Sequence, residues 1–256
     1  MKLLKHLLSA SALLLALSAH AEKITVAAAA DLKFAMDEIV TTFKKTSAGD
    51  ELDVIYGSSG KFHTQIQQGA PYDFFFSADI AFPRELAKTG FAASDVKPYA
   101  VGRIVLWSTG LDARKMTLDS LTDPKITRIA IANPKHAPYG KRAEEALRAS
   151  GVWDKIEPKL VYGENIAHTA QFVQTGNAQV GIIALALAVN PELASKGGYW
   201  LVPDKLYNRL EQGFIITKRA ADSALAKRFA DYMGSTAART VMTKYGFVLP
   251  GEVVSK

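Results

Sequence analysis

Residues 54–66 read VIYGSSGKFHTQI, and their pattern decides the fold. An apolar, β-branched run enters a turn at residues 57–60, and a polar segment that favours helix follows over residues 62–68. A strand that passes through a glycine turn into a helix is the building unit of an α/β protein. The two serines of the turn, with the adjacent Lys61, fit three hypotheses: a nucleophile, a nucleotide loop or a turn that holds an anion.

The same strand-to-helix unit recurs along the chain. Strands are predicted over residues 24–30, 52–56, 72–78, 126–132, 160–162 and 180–187. Helices are predicted over residues 32–44, 62–68, 139–150, 166–175, 221–233 and 236–245. This alternation favours parallel α/β sheets with right-handed crossovers.

Two extended apolar stretches, residues 101–107 and 213–217, are predicted to cross between two lobes. The first lobe then contains residues 22–100 and 213–256, and the second contains residues 101–212. About 235 residues follow the leader described next, which is enough for two lobes of ordinary size.

The first 21 residues, MKLLKHLLSASALLLALSAHA, are typical of a secretory signal peptide with an A-x-A cleavage site. Their apolar run is too short to span a bilayer. The chain has no cysteine, so it has neither disulfides nor a thiol for lipid attachment. We therefore expect a soluble, monomeric periplasmic protein that begins at Glu22.

Charge and histidine content exclude two classes of site. The formal net charge of +6 includes two lysines of the leader, and the other basic residues are scattered among acids, so no nucleic-acid partner is expected. The leader contains two of the five histidines, and His63, His136 and His168 show no i, i+4 pairing. Neither a metal-cation site nor a cofactor is expected.

Four predicted strand ends carry small or polar residues where a helix starts. They are Ala30-Asp31, Gly57-Ser58-Ser59-Gly60, Pro138-Tyr139-Gly140 and Asn165-Ile166. Ligands of open α/β sheets collect at such strand ends, where helix N–H groups are free. With hydroxyl donors from Ser59 and Tyr139, these helix starts hold an anion without a lysine.

Each of these residues also has an ordinary structural explanation. Asp31 fits a helix cap, Ser58 and Ser59 fit a turn, and Tyr139 and Ile166 fit packing positions. Their recurrence at equivalent topological positions is what favours a binding site.

Enzyme motifs are present but incomplete. Ser58 to Lys61 satisfies S-x-x-K, and residues 88–90 satisfy K-T-G, but S-D-N is missing and K-T-G ends a predicted helix where a strand is required. The span from Gly57 to Lys61 is two residues shorter than a Walker motif, and Phe62 replaces the magnesium-binding hydroxyl. A serine acyl-enzyme that uses Ser58 and Lys61 is kept as the alternative of a different class.

Long segments of the chain resemble periplasmic molybdate-binding proteins, the solute-binding components of ABC importers. The segments include ITVAAAADLKFAM, YGSSGKFHTQIQQGAPYDFFFSAD, IAIANPKHAPYGKRAEEAL and RFADYMGSTAARTVMTKYGF. The resemblance implies a two-lobed periplasmic binding protein of type II, a clamshell with two strand crossovers. Its ligand would be a tetrahedral oxyanion, molybdate or tungstate, delivered to a permease in the inner membrane without catalysis.

The resemblance also implies a set of site residues. Ser59 matches the ligand-binding serine of the family, with Ser58 beside it as a backbone donor. Tyr139 lies where members place a tyrosine or a backbone donor, and Ile166 where a backbone N–H is used. Some members have a ligand tyrosine at the position of Ala184, which Tyr139 would replace.

Asp31 departs from the family pattern, which has serine or asparagine at the first strand end. A carboxylate about 4 Å from a dianion repels it by several kcal/mol at an intermediate dielectric. Three explanations are open. Asp31 offers only its backbone N–H while its carboxylate caps the helix, Lys61 neutralises it, or the ligand carries a proton that Asp31 accepts. Family precedent favours the first two.

The third explanation would move the preference toward a protonated oxyanion such as hydrogen phosphate or hydrogen arsenate. Carriers of phosphate, arsenate, sulfate or a small carboxylate therefore remain alternatives within the binding class, because residue types alone do not set the cavity radius.

Overall fold

The computed structural model describes residues 21–47 and 49–252. The expected signal peptide, apart from its last residue Ala21, lies outside the described residues. None of the described helices is long and apolar enough to cross a membrane.

The described chain forms two mixed sheets surrounded by helices. The strands are β1 (Lys23–Ala29), β2 (Glu51–Gly57), β3 (Phe74–Ser77), β4 (Lys97–Gly102), β5 (Ile104–Ser108), β6 (Ile129–Ala132), β7 (Leu160–Gly163), β8 (Val180–Ala184), β9 (Gly198–Leu201) and β10 (Leu210–Ile216). The helices are α1 (Lys33–Lys44), α2 (Ser59–Gln67), α3 (Ala81–Lys88), α4 (Pro138–Ala149), α5 (Trp153–Ile156), α6 (Ile166–Gln174), α7 (Leu185–Ala188), α8 (Pro191–Ala194), α9 (Ala224–Tyr232) and α10 (Thr236–Lys244). A 3-10 turn, Ala30–Leu32, joins β1 to α1.

Each sheet has five strands and the same plan. The strand order is β2-β1-β3-β10-β4 in the first sheet and β7-β6-β8-β5-β9 in the second. Three strands of each sheet are parallel, as predicted, but β10 and β5 pair antiparallel with both of their neighbours. The expectation of parallel sheets is therefore wrong for these strands, because they arrive from the other sheet and not through a helical crossover.

The chain crosses twice between the sheets, which makes the molecule two-lobed. It passes from β4 to β5 through Arg103 alone, and it returns between Leu201 and Leu210. β10 already belongs to the first sheet from Leu210, three residues before the predicted crossing at residue 213. The exact division of the other segments between the lobes stays a prediction.

The core of the first lobe is built on the apolar strand β3. All four of its residues are buried, as expected for a strand covered on both faces. Phe74 and Phe76 stack with ring centroids 4.8 Å apart, and both pack against Phe229 of α9. This packing fixes the sheet whose strand ends form one wall of the cleft.

Candidate functional site

A small cavity lies between the two lobes, at the carboxyl ends of the parallel strands. Its lining residues are Ala29, Ala30, Asp31, Gly57, Ser58, Ser59, Ala78, Ala137, Pro138, Tyr139, Asn165 and Ile166. The structure thus brings together all five residues predicted to contact a ligand, from four separate strand ends, whereas Lys61 is not among the lining residues.

The cavity volume is about 10 Å³. That is close to the minimum volume for a single water molecule. The lobes are therefore closed against each other, and a tetrahedral oxyanion with four oxygens requires the walls to move apart before it enters.

Three helices begin at the cavity, and each presents N–H groups of its first turn. They are α2, which begins at Ser59, α4, which begins at Pro138, and α6, which begins at Ile166. The Asn165 side chain accepts from the N–H groups of Ala167 and His168, both at 3.0 Å. Among the described residues no acceptor pairs with the N–H of Ile166, which leaves that group available to an anion.

The two serines of the β2 turn have different hydrogen bonds. Ser59 Oγ accepts from the Ala78 N–H at 3.0 Å, so its own proton is free to point elsewhere. Ser58 Oγ contacts the backbone oxygen of His136 and lies 3.0 Å from its Nδ1. Only the Ser59 hydroxyl is therefore free to donate into the cavity.

Asp31 is 1 % exposed and is the one acidic side chain among the residues that line the cavity. Its Oδ2 accepts from the Tyr139 hydroxyl at 2.9 Å and from Gln212 Nε2 at 2.8 Å, while its Oδ1 has no partner among the described residues. Burial raises the pKa of Asp31 to about 6, against the opposing effect of the hydrogen bonds from Gln212 and Tyr139.

The interpretation of Asp31 as a helix cap is wrong. Asp31 lies within the 3-10 turn, and α1 follows without a side-chain hydrogen bond at its N-cap, Leu32. The carboxylate instead faces Tyr139, a residue of the other lobe, because closure of the cleft places α4 directly opposite the end of β1.

The predicted neutralisation of Asp31 by Lys61 is also not formed. Lys61 pairs across the cleft with Glu164, and both side chains are about half exposed. The N–H of Gly60 donates to the backbone oxygen of His136 at 2.9 Å, and a Cβ at residue 60 would lie only 2.6 Å from that oxygen. These contacts hold the lobes together beside the cavity.

Gln212 is the site residue that the sequence analysis missed. It is fully buried on β10, lies 3.0 Å from the Tyr139 hydroxyl, and its Oε1 has no partner among the described residues. Gly102 makes room for this group, since a Cβ there would lie 2.7 Å from Gln212 Nε2. The one sequence signal was the polar pair Glu211-Gln212 directly before the apolar stretch of residues 213–217, and the lobe boundary drawn at residue 213 placed this pair in the second lobe.

Within residues 21–47 and 49–252, no three His, Asp or Glu side chains are grouped as a metal-cation site would require. The polar groups at the cavity are mostly donors, namely helix-start N–H groups and hydroxyls. Such an arrangement is chemically suited to the oxygens of an anion.

A family model for the bacterial extracellular solute-binding protein matches residues 24–248. The chain belongs to this family. Among its relatives, this solute-binding protein is 38% identical over 236 residues to the molybdate-binding protein ModA of Rhodobacter capsulatus, with 91% of each chain covered. It is 36% identical to the molybdate-binding protein ModA of Azotobacter vinelandii over 92% of this chain and 94% of the relative.

Solved structures agree with the two-lobed fold of this solute-binding protein. The Azotobacter vinelandii periplasmic molybdate-binding protein aligns with a TM-score of 0.83 and 31% identity, covering 89% of this chain and 99% of that chain. The sulfate-binding protein SubI of Mycobacterium tuberculosis aligns with a TM-score of 0.75 at 16% identity, covering 90% of this chain and 88% of that chain. The second likeness supports the fold alone.

Proposed function

We propose that this protein is a soluble, monomeric periplasmic carrier that captures a tetrahedral oxyanion, molybdate or tungstate, and delivers it to an ABC permease in the inner membrane. The observation that carries the proposal is the convergence of helix starts from both lobes, with the Ser59 hydroxyl, on one cavity between the lobes. The molybdate-binding names of its relatives support the choice of anion.

The proposed ligand contacts are with the oxygens of the anion. Ser59 donates its hydroxyl, and the backbone N–H groups of Ser58, Asp31 and Ile166 donate from the strand ends. The Tyr139 hydroxyl leaves Asp31 when the anion enters and becomes a further donor. Because no lysine or arginine lines the cavity, dipoles and hydroxyl groups replace the water shell of the anion.

The contacts of Ser58 and Lys61 argue against an acyl-enzyme. Lys61 is engaged by Glu164, and the Ser58 hydroxyl by His136, so the two side chains do not form a nucleophile and base pair. We expect the intact mass to stay unchanged after treatment with a fluorophosphonate or a β-lactam. A covalent adduct on Ser58 would contradict the carrier function.

The direct test of the carrier function is a thermal-shift panel on protein stripped of ligand, with molybdate, tungstate, sulfate, phosphate and arsenate. A ligand at 100 times its dissociation constant stabilises the folded state by about 2.7 kcal/mol. For a chain of this size that corresponds to a rise of roughly 5–10 °C in Tm. We expect this rise with molybdate and tungstate. No shift with either anion would refute the proposed ligand.

A further inference from the structure

An ionised Asp31 would repel a bound anion, and neither helix capping by its carboxylate nor neutralisation by Lys61 removes this repulsion. Its carboxylate does not cap α1, and Lys61 is paired with Glu164 on the rim of the cleft. If Asp31 were ionised, a dianion in the cavity would lie against a buried negative charge with an unpartnered oxygen, Oδ1. Two like charges at such a distance, out of water, disfavour the complex strongly.

The groups that face Asp31 do not supply a positive charge. Tyr139 of α4 and Tyr99 of β4 are buried, and burial raises the pKa of each hydroxyl well above its usual value, so both stay neutral. Gln212 of β10 is uncharged. On the other cavity walls, α2 carries Lys61, already paired with Glu164, and α6 carries His168, whose ring packs on Phe172 with centroids 4.5 Å apart.

Two further ionisable groups lie near this end of the cleft. Burial lowers the pKa of His136, so its ring is neutral at pH 7 and above. Tyr56 of β2 hydrogen bonds to Asp37 on α1, away from the cavity lining. Among the described residues no lysine or arginine lines the cavity, so no cation there balances the combined charge of Asp31 and an oxyanion.

We propose that the site binds its oxyanion together with one proton, held between Asp31 Oδ1 and an oxygen of the anion. This inference rests on the proposed function. A proton at that position turns a repulsive contact into a hydrogen bond and gives Oδ1 the partner that it lacks. Asp31 then acts as a specificity residue, because an anion is retained only if it brings the proton or accepts a hydrogen bond from protonated Asp31.

The source of the proton depends on the pH. The pKa of about 6 for Asp31 means that the carboxyl group of the closed protein is mostly ionised at pH 8 and mostly protonated at pH 5. A dianion adds negative charge and raises that pKa further. Binding at pH 8 therefore takes one proton from solvent onto the Asp31 carboxyl, whereas binding at pH 5 takes almost none.

The test is calorimetric titration of molybdate into the full mature protein, repeated in two buffers that differ in their enthalpy of ionisation. We expect uptake of about one proton per anion near pH 8 and of nearly none near pH 5. The dissociation constant should rise by about tenfold per pH unit between roughly pH 6.5 and pH 8.5, the dependence for one linked proton.

Two variants assign the proton to a residue. Asp31→Asn imitates the neutral carboxyl, so its affinity should be independent of pH and its proton uptake zero. Asp37→Asn removes an exposed carboxylate of the adjacent helix that does not line the cavity, and it should behave like the parent protein. Proton uptake that survives in Asp31→Asn would place the proton on another group and would overturn the inference.

Failure of this inference is distinguishable from failure of the proposed function. Molybdate binding at pH 8 without proton uptake leaves the carrier function intact and refutes the role of Asp31. If neither molybdate, tungstate, phosphate nor arsenate binds at any pH, the carrier function fails, and the inference fails with it.

Discussion

The ends of β1 and β2 lie side by side in the first sheet, with Ala29 opposite Gly57, yet they place very different chemistry in the cleft. At the end of β2, the hydroxyls of Ser58 and Ser59 are neutral and both have protein partners. At the end of β1, Asp31 is acidic and buried, and only one of its two carboxyl oxygens has hydrogen-bond partners among the described residues. The same strand-to-helix unit thus supplies a permanent anion donor at one position and a titratable group at its neighbour.

The largest effect, on the free energy of unfolding, is expected for Asp31→Asn, which makes the ends of β1 and β2 alike in charge. Between pH 3.8 and about 6 the folded protein holds a proton on Asp31 that the unfolded chain has released. Its stabilising contribution is therefore present at low pH and lost as the pH rises through about 6. The pKa difference corresponds to about 3 kcal/mol.

Urea denaturation should accordingly show Asp31→Asn to be more stable than the parent by up to about 3 kcal/mol at pH 8, with the difference vanishing near pH 4. Asp37→Asn, on the adjacent exposed helix face, serves as the control for a lost carboxylate. A difference between Asp31→Asn and the parent that stays constant from pH 4 to pH 8 would show that Asp31 has the same pKa in the folded and unfolded chain, and would contradict the raised pKa.

A smaller effect, on affinity for molybdate, is expected to differ between variants of the two serines. Ser59→Ala removes a hydroxyl that is free to donate to the anion, so we expect a loss of about 1.5–3 kcal/mol, roughly 10- to 150-fold in affinity for molybdate. Ser58→Ala removes only the contact with His136 across the cleft, worth about 0.5–1.5 kcal/mol. Titration at pH 6 compares the two variants, and weaker binding by Ser58→Ala than by Ser59→Ala would reverse the assigned roles.

The smallest effect on affinity for molybdate is expected from substitutions at the rim of the cleft. Lys61→Met and Glu164→Gln each break an ion pair between half-exposed side chains, and such pairs contribute about 0.2–1 kcal/mol. Affinity for molybdate should fall by less than about fivefold, and 0.5 M salt should remove most of the difference from the parent. A larger loss for Lys61→Met than for Glu164→Gln would indicate that Lys61 acts directly on the anion.

Local sequence signals predicted most of the fold for a physical reason. The buried periodicity of residues 32–44 and the glycine turn at residues 57–60 depend on near neighbours, and both elements form at nearly the predicted positions. The four strand ends could be predicted in the same way, and they do meet at one cavity, three of them as starts of α-helices and the fourth as a 3-10 turn. The antiparallel pairing of β10 could not, since it depends on where a distant crossing ends.

The sequence by itself determined the strand-to-helix units around the cleft, the family and five of the residues that line the cavity, because these follow from local patterns and from resemblance. Only the tertiary structure decided what those residues do to one another. Asp31 meets Tyr139 108 positions away and Gln212 181 positions away, and Lys61 turns to Glu164. Closure of two lobes creates these contacts and removes water from Asp31, and desolvation of a carboxyl group depends on every atom around it.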